Sequence, residues 1–219
     1  MRQSPDKKYG FGKRRIPAGV LVGLMLLLLG DLRATIVGLN QIVTPDIQPA
    51  GVLGVGYQIE HAHIGNSQQV QFELGLSPRF ELAWFQGVEP GEGLVSTEFN
   101  LLQHGPHLVT AGVINWSTRG GDAQPVMEYG YYADTDHFVI GGIYANRQPE
   151  LLLGYKRMVS EKFQVSVDFQ GGTANAFTVG FTYNFTPTLS VAPALYLTNT
   201  HPRHLLGYVV FTWNLTVWK

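Results

Sequence analysis

The 219-residue chain has no cysteine, which excludes a disulfide framework, a thiolate metal centre and the lipid-modified N-terminus of bacterial lipoproteins. Charge is scarce as well: Asp, Glu, Lys and Arg make up 14% of the residues, against roughly 25% in soluble domains. The formal net charge of -1 gives no electrostatic reason to expect a nucleic-acid partner. No stretch has a convincing helical period, and beyond residue 34 no apolar run approaches the roughly 20 residues of a membrane-spanning helix. What remains is an ordinary apolar content of 45%, 26 glycines and 12% aromatic residues.

The first 34 residues differ from the rest. Lys7, Lys8, Lys13, Arg14 and Arg15 precede an apolar run from Ala18 to Leu29, closed by Gly30 and Asp31. A basic region followed by a short apolar core is the layout of a secretory signal peptide, with Ala34 as the expected cleavage edge. Residues 35 to 48 then read as a short periplasmic lead, and 49 to 219 as the domain proper.

That domain alternates. In "QVQFELGLSPRFELAW", Val70, Phe72, Leu74 and Leu76 share one parity, and Gln69, Gln71, Glu73 and Gly75 the other. After the Ser77-Pro78 break, Phe80, Leu82 and Trp84 oppose Arg79, Glu81 and Ala83. Successive side chains of a strand point to opposite faces, so strict alternation predicts strands with one apolar side. The pattern recurs as about twelve strands, near 50–61, 68–76, 80–86, 94–102, 107–116, 126–133, 137–146, 150–159, 163–171, 176–185, 189–198 and 204–217.

Their connections are of two kinds, taken in turn. Tight ones repeat an apolar residue, Ser or Thr, two variable positions and an apolar residue, as in Leu76–Phe80, Val159–Phe163 and Phe185–Leu189. Ser or Thr bonds the turn backbone, and Pro presets φ. Looser ones span Ala62–Ser67, Gly87–Gly93, Ser117–Pro125, Arg147–Pro149, Gly172–Asn175 and Asn199–Arg203. Short turns on one side and longer loops on the other match an up-and-down membrane barrel with periplasmic turns and outer loops.

Which face is wet follows from the most regular strands. Phe163, Val165, Val167 and Phe169 oppose Gln164, Ser166, Asp168 and Gln170, while Phe177, Val179, Phe181 and Tyr183 oppose Thr178, Gly180, Thr182 and Asn184. A soluble barrel would carry lysine and glutamate outside and the apolar set inside; here the polar set is mainly amide, hydroxyl and glycine. About twelve strands also enclose more width than side chains fill as a dry core. The expected fold class is therefore all-β, a transmembrane antiparallel barrel with a polar interior and lipid against its apolar face. Trp84 and Phe169 toward the loops, and Phe80, Phe163, Phe185 and Trp213 toward the turns, would form the interfacial aromatic belts.

With its signal segment, its strand-turn-strand units and its closing "YVVFTWNLTVW", the sequence resembles Gram-negative outer-membrane β-barrel proteins of the porin or transporter kind. The resemblance implies an outer-membrane location, membrane lipid and the barrel assembly machinery as partners, and a last-strand aromatic read by that machinery. Trp218 takes that role, although Lys219 follows it.

Parity assigns to the lumen Gln58, Glu60, Gln71, Glu73, Arg79, Glu81, Glu98, Asn100, Glu128, Lys156, Asp168, Gln170 and Thr182. This set leans acidic, and a carboxylate-lined passage attracts cations and repels anions. The expected function is a small channel or facilitator for small hydrophilic or amphipathic solutes with a mild cation preference and no cofactor. The alternatives are a hydrolase acting on lipid or peptide at the outer rim, or a plugged structural barrel. Ser117, Asp122 and the rim histidines offer no spacing that specifies a nucleophile and its base, so catalysis ranks below passage. No metal site is expected; His61 and His63 at the end of the first strand and His201 and His204 at the start of the last are weak candidates for an imidazole-bound divalent ion.

Overall fold

The strands seen in the computed structural model are β1 (Val52–Glu60), β2 (Gln68–Ser77), β3 (Phe80–Gly87), β4 (Gly93–His104), β5 (His107–Ser117), β6 (Gln124–Ala133), β7 (Asp136–Ala145), β8 (Gln148–Met158), β9 (Phe163–Gln170), β10 (Ala176–Asn184), β11 (Leu189–Thr198) and β12 (Leu205–Thr216). The structure describes residues 38 to 219 except His63, Glu89, Pro90 and Asp122. The signal segment, 1 to 34, lies outside the described residues. Each strand pairs antiparallel with its neighbour in sequence, and β1 closes the ring on β12, from Val52↔Thr216 to Glu60↔Tyr208. Closure leaves no edge strand with unpaired N–H and C=O groups, the condition for a sheet to stand in hydrocarbon.

Alternation sorts the side chains cleanly. In β10, Thr178 is fully buried, while Phe177, Val179 and Phe181 on either side of it are exposed. The same outer surface carries Phe72, Trp84, Phe138, Ile140, Leu153 and Phe211, all exposed. Near the turn end, outward rings pair: Phe138 with Tyr155 at 5.0 Å, Phe163 with Phe181 at 5.4 Å and Tyr183 with Phe185 at 5.2 Å between centroids. A soluble protein seldom exposes so continuous an apolar belt.

The connections follow the expected order with one correction. Pro78 and Arg79 alone join β2 to β3, and Gly105 and Pro106 alone join β4 to β5, whereas residues 61–67 link β1 to β2. The β7–β8 connection, expected to be loose around Arg147–Pro149, is a two-residue turn. Asn146 and Arg147 have φ of 51° and 63°, the paired positive values of the primed turn that matches strand twist. Pro149 belongs to β8 itself.

Two irregularities interrupt the parity of β4 and β5. The register shifts between Val95 and Thr97 and again between Asn100 and Leu102. One extra residue in β5 accompanies Asn115 at φ 56°, and one extra residue in β4 leaves Leu101 and Leu102 both exposed. A bulge flips the side-chain phase beyond it, which is why the pattern from residue 107 onward looks mixed when read along the chain.

Candidate functional site

The site is the lumen, and the chain's own N-terminal segment stands inside it. Residues 38 to 48 were expected as a lead outside the barrel. They contact strands all round the ring instead, so the described part of that lead is an inner element. The Asn40 N–H donates to Asp168 Oδ2 at 2.6 Å, and the Gln41 N–H to the same oxygen at 3.2 Å. Tyr196 donates its hydroxyl to the Asn40 carbonyl at 2.5 Å, Thr110 Oγ1 donates to the Pro45 carbonyl at 3.0 Å, and the Gln48 N–H donates to Glu81 Oε2 at 2.6 Å. Within the segment the Leu39 N–H donates to the Ile42 carbonyl at 3.0 Å; the inner-face side chains satisfy these further backbone groups.

Two features of the wall make room for it. Gly180 and Gly154 sit where a side chain would collide: a Cβ on Gly180 would lie 2.9 Å from Asn40 Cγ, and one on Gly154 would lie 3.0 Å from Ile42 Cδ1. Beside Gly154 the inner wall turns apolar, with Ile114, Val126, Val139, Ile143, Ala145 and Leu152 gathered around Ile42, and Leu39 and Val43 packed against them. Ile42 is 3% exposed, and burying such a side chain contributes about 1.5–3 kcal/mol. Lys156 Nζ meets Asp46 Oδ2 at 2.7 Å and lies 5.7 Å from the centroid of the Tyr132 ring. The inner wall's lysine is thus paired to the segment.

Above the segment, toward the longer loops, lies a cavity of about 390 Å³. Glu60, Glu73, Glu81 and Glu98 reach it from β1, β2, β3 and β4, with Gln58, Gln69, Gln71 and Ser96 between them. Tyr196, Tyr208 and Leu206 line it from β11 and β12, and residues 38 to 43 form its floor. No lysine or arginine is among the described residues lining it.

Most residues assigned to the lumen from parity stand on the inner face. Gln71, Glu73, Glu81, Glu98, Asn100, Glu128, Lys156 and Asp168 are buried there, and Gln58, Glu60, Gln170 and Thr182 are half-buried. Arg79 is the correction: it is exposed in the β2–β3 turn, because the break that ends β2 also ends the alternation that placed it. Glu150 was missed. It is buried on the inner face of β8 and accepts from Gln170 Nε2 and Asn175 Nδ2, both at 2.9 Å. It shares its parity with Lys156, and counting back from that lysine would have found it. The segment 38–48 carried no periodic signal at all.

The rim chemistry is sparse. His61, His201 and His204 are exposed on two loops, and His63 lies outside the described residues. Among the described residues no group of three or more His, Cys, Asp or Glu is arranged to hold a metal ion. Ser117 Oγ donates to Glu92 and accepts from the Arg119 N–H; Asp122 lies outside the described residues.

No protein-family model and no curated protein matches the sequence. Among solved structures, the chain is similar to the KdgM porin, with a TM-score of 0.54 at 8% identity over 74% of this chain and 98% of that one. The NanC porin gives 0.50 at 11% identity, again over 74% and 98%. The fold is that of an outer-membrane porin. A further match, at 0.53 and 7% identity with the same coverage, is the KdgM porin in complex with disordered oligogalacturonate.

Proposed function

We propose that the protein is an outer-membrane channel for small solutes, cation-preferring, and closed at rest by its own residues 38–50. The observation that carries this reading is a polar, acid-lined lumen inside a barrel whose outer surface is apolar. A barrel that only had to persist in the membrane would need no hydrated acidic cavity, whereas a passage needs a wall that replaces the solvation of what crosses it. The charge sets the direction of selectivity. Oligogalacturonate, named with one similar barrel, is a polyanion; four carboxylates with no basic side chain between them repel such a chain. Metal cations, ammonium ions and neutral hydrophilic solutes are the expected traffic.

The closing element is testable because the chain has no native cysteine. Asn40 Cγ, 2.9 Å from a Cβ placed on Gly180, marks where a sulfur would lie in an Asn40→Cys/Gly180→Cys bridge. In planar bilayers held at a voltage that opens the wild type, the oxidised double variant is expected to stay silent and the reduced one to conduct, with cations favoured. Equal currents in both states would remove the segment from gating. Silence in both, together with a silent wild type and a silent variant lacking residues 38–49, would sink the channel itself.

A further inference from the structure

The outward surface of the barrel is not uniform: over β8 to β12 it holds a hollow of about 560 Å³. Val167, Val179 and Leu195 bound it on the loop side, and Val165, Phe181 and Pro193 on the turn side. Between these two files runs one register row, Ser166↔Gly180↔Ala194↔Tyr208, whose side chains have the inward parity, so the floor is the sheet backbone itself. At the β12 end the outward file is interrupted by Gly207, the register partner of Leu195. A Cβ on Gly207 would meet nothing within 4 Å, and it stands as a notch between the exposed Leu195 and Leu205. From Tyr155 on β8 to Gly207 on β12 the hollow crosses four strand spacings, about 19 Å. Gly207 is near the loop end of β12 and Tyr155 near the turn end of β8, so the hollow slopes from the outer rim down the wall, as tilted strands require.

The rim directly above the notch has a chemistry of its own. The His61 N–H donates to the Gly207 carbonyl at 3.1 Å, which places His61 across the seam from the notch. His61 continues the outward parity of Tyr57 and Ile59, both exposed, and is itself exposed. Arg203 shares the parity of Leu205 and Gly207 and is exposed as well, on the same loop as His201 and His204. The three connections on this side, residues 61–67, 171–175 and 199–204, contain no Asp or Glu, whereas the β3–β4 connection carries Glu89 and Glu92. Glu60, the nearest carboxylate on β1, has the opposite, inward parity and lines the cavity of the lumen.

We infer that this face of the barrel is a binding site for a phosphorylated glycolipid of the outer leaflet, one acyl chain lying in the hollow and a phosphate meeting Arg203 and His61 at the rim. Lipid tails are as apolar as the hollow, so the hollow by itself selects no lipid; it contributes close dispersion contacts along one chain. The headgroup makes the choice. A guanidinium holds phosphate through paired charge-assisted hydrogen bonds, and no acidic side chain in the three connections opposes it. Because the basic end of the hollow is the loop end, the phosphate belongs to the outward-facing leaflet. The inference rests on the outer-membrane reading of the barrel and is independent of conduction.

Native mass spectrometry of the detergent-solubilised full barrel, titrated with diphosphorylated lipid A, its dephosphorylated form and phosphatidylethanolamine, tests this directly. Retention of one lipid A is expected at concentrations where the other two are lost. Arg203→Gln should weaken retention by at least about tenfold, the loss of one charged contact, and His61→Gln by less. Gly207→Trp, which fills the notch, should weaken it too, while Ile140→Trp on the outward face of β7 should not. Equal retention of the dephosphorylated lipid, displacement of lipid A by excess inorganic phosphate, or affinities unchanged in both Arg203→Gln and Gly207→Trp would overturn the assignment. So would a dimer of barrels that Gly207→Trp abolishes, which would give the hollow to a second copy. The comparison among lipids uses wild-type protein and survives any variant that fails to fold. A chain that stays monodisperse without detergent would remove the membrane reading itself, whereas failed retention by a detergent-requiring barrel removes only this site.

Discussion

The inner wall of the barrel has two sectors built on opposite rules. From β1 to β4 it is acidic and amide-rich and faces a cavity. From β5 to β8 Ile114, Val126, Val139, Ile143, Ala145 and Leu152 form an apolar patch that faces the chain's own Leu39, Ile42 and Val43, with Thr110, Glu128, Glu150 and Lys156 on the same inner face. The backbone is the same in both, and so is the outward apolar surface. What differs is the neighbour: inner residues around the cavity are mainly polar, as are those that bond the backbone of Asn40 and Gln41, whereas those packed on Leu39, Ile42 and Val43 are apolar. The lumen is therefore part cavity and part protein core, and the segment belongs to the fold as much as any strand does.

Substitutions can break that contrast in order of expected size. Ile42→Asp should be the most damaging to the β5–β8 sector. It costs about 2–5 kcal/mol in lost contacts and the space left behind and adds a carboxylate with no partner, so the segment should leave its seat, read as new protease cleavage within residues 38–50 of the detergent-solubilised protein. On the outer surface, Val179→Arg places a charge against lipid and should lower the unfolding free energy by about 2–4 kcal/mol in urea titrations in bilayers. Thr182→Arg on the inner face of the same strand should leave unfolding nearly unchanged and instead reduce the cation preference of the reversal potential. Arg79→Ala, in the exposed β2–β3 turn, should stay within about 0.5 kcal/mol of wild type and leave selectivity alone, in keeping with a place outside the lumen.

The two sectors also differ in how readable they were. In β2, β3, β9 and β10 the inner and outer faces have opposite chemistry, so parity alone assigned Glu73, Glu81 and Asp168 to the inside. In β5 to β8 long stretches of both faces are apolar, as with Val139 inside and Ile140 outside. Parity then has nothing to contrast, and the bulges at β4 and β5 shift its phase as well. Glu150 was lost to that ambiguity although it lies in a regular strand. The β7–β8 turn was misjudged for a different reason: Asn146 and Arg147 adopt positive φ, and arginine at such a position carries no compositional warning.

The repeat of two along each strand, the tight turns and the lack of charge are local properties, and they were sufficient to determine an all-β membrane barrel of about twelve strands and most of its inward carboxylates. They could not determine what fills the lumen. Asn40 finds Asp168 across 128 positions of sequence and Tyr196 across 156. Such pairings exist only once the ring has closed around the segment, because it is closure that turns scattered inner faces into one enclosed surface able to bind a segment of its own chain.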